Sequence, residues 1–298
     1  MRKIVFHGSC ADGIAAREIL RLIYPQAKCV PYYFQKPDKI EDSELWVDCS
    51  PPSFEDKNII LDKGGLILEH HVSSFVDLLI LKRTYPDQIF LGDNAAENPE
   101  SGAVLAHRLF VDYLNNHHSE FTIEFLNDLE EYARTVAAGD TFRKDKSEFE
   151  LARSLQKVVM FQGNAFKFED WKSLKALSLK MMPVFKMQAK TKANRAIIRP
   201  NPFTTIAFMN DIGISDAADI LLGKVDMVVG YNVGLDEKTN EARLFFSIRC
   251  NDNIAERLLS LAKQNGGGGH LNAHGFSMKD DFLMHPIDTY ESEFTLLV

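Results

Sequence analysis

The chain has 298 residues, 45% of hydrophobic type and 26% charged, proportions of a globular protein long enough to bury two cores of ordinary size. Its 42 acidic residues against 34 basic ones leave a formal charge of −8. That balance argues against a protein that coats long nucleic acid, because such binding draws its free energy from basic side chains that displace counterions from phosphates. No run of about 18 apolar residues occurs, and Met1-Arg2-Lys3 leads into only a brief apolar stretch, so neither a membrane span nor a signal peptide is expected. The expected location is cytoplasmic. Cys10, Cys29, Cys49 and Cys250 are too few and too dispersed for a disulfide framework and lack any CxxC zinc spacing.

Residues 4–7 read as a strand that runs into Gly8-Ser9-Cys10-Ala11-Asp12-Gly13 and then into an amphipathic helix over 14–22. Short apolar runs at 29–33, 45–49, 59–61, 66–70 and 75–81 continue an alternation of β-like and helical segments, which predicts a mainly parallel sheet with helices on its faces. Residues 103–114 and 120–138 keep helical spacing, and this first domain is expected to span 1–182. Residues 171–195, rich in Lys, Ala, Leu and Met, read as a helix interrupted at Pro183, with 183–195 serving as a linker. A smaller α/β domain over 196–298 follows, with strands at 203–209, 227–231 and 243–249, helices at 215–222 and 254–264, and a hairpin turn at 236–240. Between 151 and 200 eleven Lys/Arg face only Glu169 and Asp170, which reads either as the solvated face of a long helix or as an attractor of anions.

Acidic, imidazole and thiol groups recur where the apolar runs end. His7, Cys10 and Asp12 follow the first strand, Asp48 follows Leu45-Trp46-Val47, His70 and His71 follow Leu66-Ile67-Leu68-Glu69, and Asp140 follows the helical run to Gly139. Singly each has an ordinary role, Asp12 as a helix cap, Asp48 and Asp140 in turns, the histidines at a strand end. Jointly they matter more, because parallel strands align their carboxyl ends along one edge and make Asp12, Asp48 and His70 neighbours in space. A set of carboxylates and imidazoles suits Mn²⁺ or a similar borderline cation better than Ca²⁺ or structural zinc. Two such ions about 3.5–4 Å apart can stabilise the attacking and leaving oxygens of a phosphoryl transfer. In the second half, Gly266-Gly267-Gly268-Gly269 ends in His270; its backbone amides can approach an anion closely, and Arg249 upstream offers a planar fork for phosphate. An ordinary turn is the alternative.

Together these motifs resemble the DHH/DHHA1 phosphoesterase family over nearly the whole chain. His7-Gly8-Ser9-Cys10-Ala11-Asp12-Gly13 is similar to its His plus D-x-D-G element, Asp48 stands in the second motif, Glu69-His70-His71 where the family has D-H-H, and Asp140 in the fourth, Ala138-Gly139-Asp140-Thr141-Phe142. Gly266-Gly267-Gly268-Gly269-His270 resembles the GGGH element of the DHHA1 domain, with Ser247-Ile248-Arg249 ahead of it. The resemblance implies a bilobal α/β enzyme with two Mn²⁺ ions in its larger lobe. Asp48 would bridge them, Asp12, His70 and Asp140 would complete one site, and His7 and Cys10 would help to form the other. His71 would sit beside the scissile phosphate, so Asp48 and His71 are the expected catalytic pair. Arg249, Gly267, Gly268, Gly269 and His270 would hold the substrate's phosphate or sugar.

Two positions depart from the pattern. Cys10 stands at the first Asp of D-x-D-G, which makes the site with His7 softer or a ligand short, so that one ion instead of two is the alternative expectation. Glu69 replaces the first letter of D-H-H and reads as a longer partner to the neighbouring histidine. The implied activity is a metal-dependent phosphodiesterase that hydrolyses short oligoribonucleotides, or linear and cyclic dinucleotides, to mononucleotides with a metal-activated water. The alternatives are a pyrophosphatase or exopolyphosphatase and a non-catalytic nucleotide-binding relative with a weakened metal site. An exonuclease on long single strands is disfavoured by the lack of an added basic or OB-like domain. No membrane and no long duplex partner is expected, and the oligomeric state is open.

Overall fold

The structure, a computed structural model, describes residues 1–33, 39–93, 97–98, 100–117, 121–141, 143, 148–162, 167–168, 171–200, 205–210, 213–235 and 241–279, without the side chains of Gln162, His270 and Lys279. Phe142, Glu169, Asp170, the start of the strand expected at 203, the turn expected at 236–240 and the His270 side chain lie outside the described residues. The chain forms an α/β protein with two compact units, Met1–Met182 and Pro183–Val298.

The first unit is built on a five-stranded sheet of order β2-β1-β3-β4-β5, in which β1 (Lys3–His7), β2 (Lys28–Tyr32), β3 (Glu44–Val47), β4 (Leu66–Glu69) and β5 (Ile89–Leu91) are all parallel. Its central strands read as near-continuous apolar runs because helices cover both faces. Alternate residues Val5, Trp46, Ile67 and Ile89 join one core with Ile60, Leu61 and Leu78. The intervening Ile4, Phe6, Leu45, Val47 and Leu68, also buried, line the other face, as the period of two requires. Helices α1 (Ala11–Ile23), α2 (Phe54–Asp62), α3 (Val72–Lys82) and α4 (Gly102–Asn116) follow β1, β3, β4 and β5. The apolar run at 59–61 is therefore the end of a helix. Ser53 caps that helix by accepting the Asp56 N–H at 3.0 Å, and Ile60 and Leu61 point into the core. Helices α5 (Ile123–Asp140) and α6 (Phe149–Gln162) complete the unit.

Helix α7 (Trp171–Ala193) continues through Pro183. The proline removes one N–H from the ladder, but Pro183 and Leu179 four residues back are both exposed, so water can satisfy the released carbonyl. The basic stretch is partly neutralised at its start, where Lys172 pairs with Glu124 and Asp128 at 2.6 and 3.3 Å and Lys175 with Glu131 at 2.5 Å. These exposed pairs favour the solvated-face reading of that charge over an anion attractor.

The second unit holds a mixed six-stranded sheet of order β10-β11-β9-β8-β7-β6, from β6 (Ile197–Pro200), β7 (Thr205–Met209), β8 (Met227–Leu235), β9 (Ala242–Cys250), β10 (Gly268–His270) and β11 (Ala273–Lys279). Only β7 and β8 pair in parallel, joined across α8 (Ser215–Leu221). Helix α9 (Asp252–Gln264) buries Ile254, Ala255, Leu258 and Ala262 with Phe246, Ile248 and Phe276 of the sheet.

The parallel core of the first unit sets its stability. Ile67, fully buried in β4, is expected to cost about 2–5 kcal/mol on replacement by Ala, whereas Val76→Ala on the exposed side of α3 is expected to stay within about 0.5 kcal/mol. Urea unfolding of the two variants checks this contrast.

Candidate metal centre

The sheet register assembles the site. Phe6 lies level with Val47, and Val47 level with Leu68, so His7, Asp48 and Glu69 are the next residues along one carboxyl edge. The Asp48 N–H still donates to Leu68 O at 2.9 Å, but Asp48 leaves the strand with φ 57°, in the left-handed region that Asp tolerates better than most residues. Its carboxylate is thereby shared between two sides. Oδ1 is 2.8 Å from His70 Nε2, while Oδ2 accepts from the Cys10 thiol at 2.7 Å and lies 3.4 Å from His7 Nδ1.

Asp12, in the first turn of α1, is fully buried and its Oδ1 accepts from Ser101 Oγ at 2.5 Å and from the Ala103 N–H at 3.1 Å. Its other oxygen, Oδ2, is buried without a hydrogen-bond partner, 3.8 Å from His70 Nε2. Asp140, the last residue of α5, brings a carboxylate oxygen to 3.4 Å from the same imidazole nitrogen. Cys10 is the N-cap of α1 and its sulfur accepts the Gly13 N–H at 3.2 Å. Ser9 Oγ is 2.7 Å from His7 Nε2.

Glu69 organises the histidine pair. Its Oε1 accepts from the backbone N–H groups of His70 and His71, each at 2.9 Å, and is 2.6 Å from His71 Nδ1. Within the described residues two groups can each direct three donor atoms to a common point, with those atoms all within 4.8 Å of one another: Asp12, Asp48 and His70, and His7, Asp48 and His71. Asp48 belongs to both. Cys10 and Asp140 adjoin these groups without joining either.

The electrostatics explain why such a cluster wants a cation. Burial, reinforced by the charges of Asp48 and Asp140, pushes the Asp12 carboxyl well above its usual range. Burial would raise Asp48 too, but hydrogen bonds from His7 and His70 and the nearby imidazoles hold it well below. For His70 burial favours the neutral ring, yet the bond to Asp48 and the charges of Asp140, Asp48 and Asp12 raise it well above an ordinary histidine. Burial together with Asp48, Asp140 and Asp12 pushes the Cys10 thiol up, in keeping with its role as a donor. A bare buried carboxylate oxygen costs several kcal/mol, so the orphaned Asp12 Oδ2 beside two more carboxylates fits a divalent ion. Asp12, Asp48 and His70 would hold one, with Asp140 alongside.

Two supporting residues, Ser101 and Gly102, carry no site signal in the sequence beyond being a small pair immediately before a helix. A Cβ on Gly102 would lie 2.6 Å from Asp48 Cβ and 2.7 Å from Asp12 Oδ2, so only glycine lets α4 approach. In the second unit Arg249 donates to Ser215 Oγ and Ile248 O, both at 2.8 Å. It lies in register with Ala273, which pairs in turn with His270 on β10. Gly267, Gly268 and Gly269 carry the chain into that edge strand.

No family model matches the sequence, and no curated protein matches it. Solved structures do. RecJ of Thermus thermophilus in complex with Mn²⁺ is 14% identical with a TM-score of 0.56, the match covering all of this chain and 52% of RecJ. The chain thus spans about half of that protein. A pGpG-specific phosphodiesterase, PggH of Vibrio cholerae, is 13% identical with a TM-score of 0.46 and 98% of its chain covered. A protein of unassigned function from Helicobacter pylori is 14% identical at 0.43, with 99% covered. The likeness to RecJ shows a DHH/DHHA1-like fold.

Two outcomes follow from the geometry. Gly102→Val is expected to weaken divalent-cation binding about 10–100-fold or more by displacing Asp12 and Asp48, as calorimetry would show. Because Asp12 and His70 hold their protons above the ordinary range while a metal needs both bare, ion affinity should rise with pH and binding should release protons. Titrations in buffers of different ionisation enthalpy measure that release, and a pH-independent affinity would contradict it.

Proposed function

We propose that this chain is a divalent-metal-dependent phosphodiesterase that hydrolyses short oligoribonucleotides or dinucleotides to mononucleotides, with Mn²⁺ as the working ion. The observation that carries the reading is the sharing of one buried carboxylate, Asp48, between two groups of candidate ligands. Donor sets that share a residue bring two charges close together, the arrangement suited to in-line displacement at phosphorus. The carboxylate and imidazole mixture of Asp12, Asp48 and His70 suits Mn²⁺, and RecJ, whose fold this chain resembles, was solved with Mn²⁺. Ions bound there would supply Lewis acidity toward phosphoryl oxygens and lower the pKa of water.

The protein's own contributions are positional. Asp48 is clamped from both sides, Asp12 is fixed by Ser101 and Ala103, and Glu69 sets the orientation of His71. Arg249, its guanidinium anchored on Ser215 and Ile248, is assigned to a substrate phosphate, and the strand of Gly267, Gly268, Gly269 and His270 to the nucleotide beside it. A short substrate suits an acidic chain, since its few phosphates demand few basic contacts. Among the described residues no helix is long and apolar enough to cross a membrane, and the four cysteines are free thiols, which suits the reducing cytoplasm.

Release of mononucleotide from pApA or pGpG tests this reading, with pyrophosphate and polyphosphate as competing substrates. Hydrolysis is expected to require Mn²⁺ and to fall by about 10²-fold or more in Asp48→Asn. An unchanged rate in that variant, or turnover of pyrophosphate alone, would overturn the proposal.

A further inference from the structure

Two consecutive tyrosines close the edge strand β2 and go opposite ways. Tyr32, the last residue of the strand, is buried with its ring 5.1 Å from that of Trp46, whereas Tyr33 is 51% exposed. Alternation along the chain turns Tyr33 to the other face, the side of Pro31 and of Phe6, which lies level with Pro31. There the ring has a seat. A Cβ on Gly8 would lie 2.8 Å from both Cε1 and Cζ of Tyr33 and 2.7 Å from Pro31 Cβ. The tip of the ring therefore reaches back from β2 onto the backbone of the turn after β1, and only glycine leaves it room. The Gly8 N–H donates to Tyr32 O at 3.0 Å and holds the two segments together at that point.

The seat adjoins the metal centre. Gly8 follows His7 directly, and the sheet order β2-β1-β3 brings Asp48 next in line after His7. Neighbouring strands are about 4.8 Å apart, so the end of β2 is about 10 Å from the end of β3. That is the reach of one nucleoside beyond its phosphate. A single exposed aromatic needs no explanation by itself. Tyr33 differs because its ring is anchored on backbone beside a candidate metal ligand while half of the residue stays open to water. A ring with two side-chain torsions and a fixed seat has little freedom to lose when a second ring stacks on it.

We propose that Tyr33 is a specificity residue, a stacking surface for the nucleobase next to the phosphate held at Asp48. The inference rests on the phosphodiesterase reading above and adds to it the group that tells a nucleotide from pyrophosphate or polyphosphate, which have no base to stack. Every base offers a π-face, so the contact tolerates any sequence and differs among bases only in stacking strength.

Binding of 2-aminopurine riboside 5′-monophosphate, whose fluorescence falls on stacking, tests this without turnover when followed with Mg²⁺ present. The unmodified chain and Tyr33→Phe are expected to quench the probe with similar affinity, and Tyr33→Ala to bind it about 10-fold more weakly. In hydrolysis of pApA, Tyr33→Ala should raise KM about 10-fold with kcat within about 2-fold, and the preference for pApA over a base-free ribose phosphodiester should fall by the KM factor. Equal loss on the base-free diester, quenching by Tyr33→Ala as tight as by the unmodified chain, or a Tyr33→Phe as weak as Tyr33→Ala would overturn the inference and leave the proposed hydrolysis standing. A probe that the unmodified chain binds with unchanged emission would overturn it even where Tyr33→Ala fails to fold. Quenching that depends on Tyr33 in a chain that hydrolyses no phosphodiester would instead overturn the proposed function and leave the stacking surface.

Discussion

The contact on which the site depends is the grip on Asp48. A carboxylate with no exposed surface can stay ionised only if its oxygens are occupied, and here His70 holds one oxygen while Cys10 and His7 attend the other. The left-handed backbone at Asp48 makes that possible at the point where β3 ends. A residue continuing in extended geometry would follow the alternation of the strand and present its side chain to one face. The parallel order β1-β3-β4 then supplies the partners, because the strands carrying His7 and His70 flank the strand carrying Asp48.

The same cluster is expensive for the fold. The fully buried Asp12 and Asp48 and the half-buried Asp140 gather around His70, and since an unpaired buried charge costs several kcal/mol, Asp12 holds its proton well above the usual carboxylate range. The protein offsets part of it with the Ser101 hydroxyl and the Ala103 amide, and leaves Asp12 Oδ2 bare. Strain of this kind concentrates at functional sites and persists because the surrounding apolar sheet over-determines the backbone. A bound divalent ion relieves it. At a concentration of about 100 times its dissociation constant such an ion would add about 2.7 kcal/mol to stability, so the cluster that costs the free protein most is the part that gains most from the ion.

The sequence discloses the architecture of this edge more readily than its details. Strand ends are visible because apolar runs stop at a polar residue, and a parallel sheet follows from strand and helix alternation, so Asp12, Asp48 and His70 can be brought together from the sequence alone. Residues 59–61 leave the choice between strand and helix open because three apolar residues carry no period, and the cap at Ser53 decides for helix. Ile89–Leu91 escapes notice for the same shortness. What pattern cannot supply is orientation. Whether Cys10 or His71 faces His7 depends on a left-handed turn at Asp48 and on a Glu69 side chain long enough to reach Nδ1 of a residue two positions on, and neither leaves a trace in composition or spacing.

The glycines of the second unit show the converse, a strong sequence feature whose meaning changes once the backbone is known. Four consecutive glycines read as a cradle for an anion, because amides without side chains can approach a phosphate. In the fold they have another reason to be glycine. A Cβ on Gly267 would lie 2.0 Å from Gly275 O, and Gly269 sits at φ 135° with Ala273 O 2.4 Å from where its Cβ would be. The tight pairing of β10 on β11 therefore demands glycine at these positions whether or not a ligand binds, and the run by itself is no evidence for one. The proposed contact to phosphate then rests on Arg249 more than on the glycines; its half-buried guanidinium donates to the hydroxyls of Ser215 and Ser247 and to the carbonyl of Ile248, which orient the planar fork.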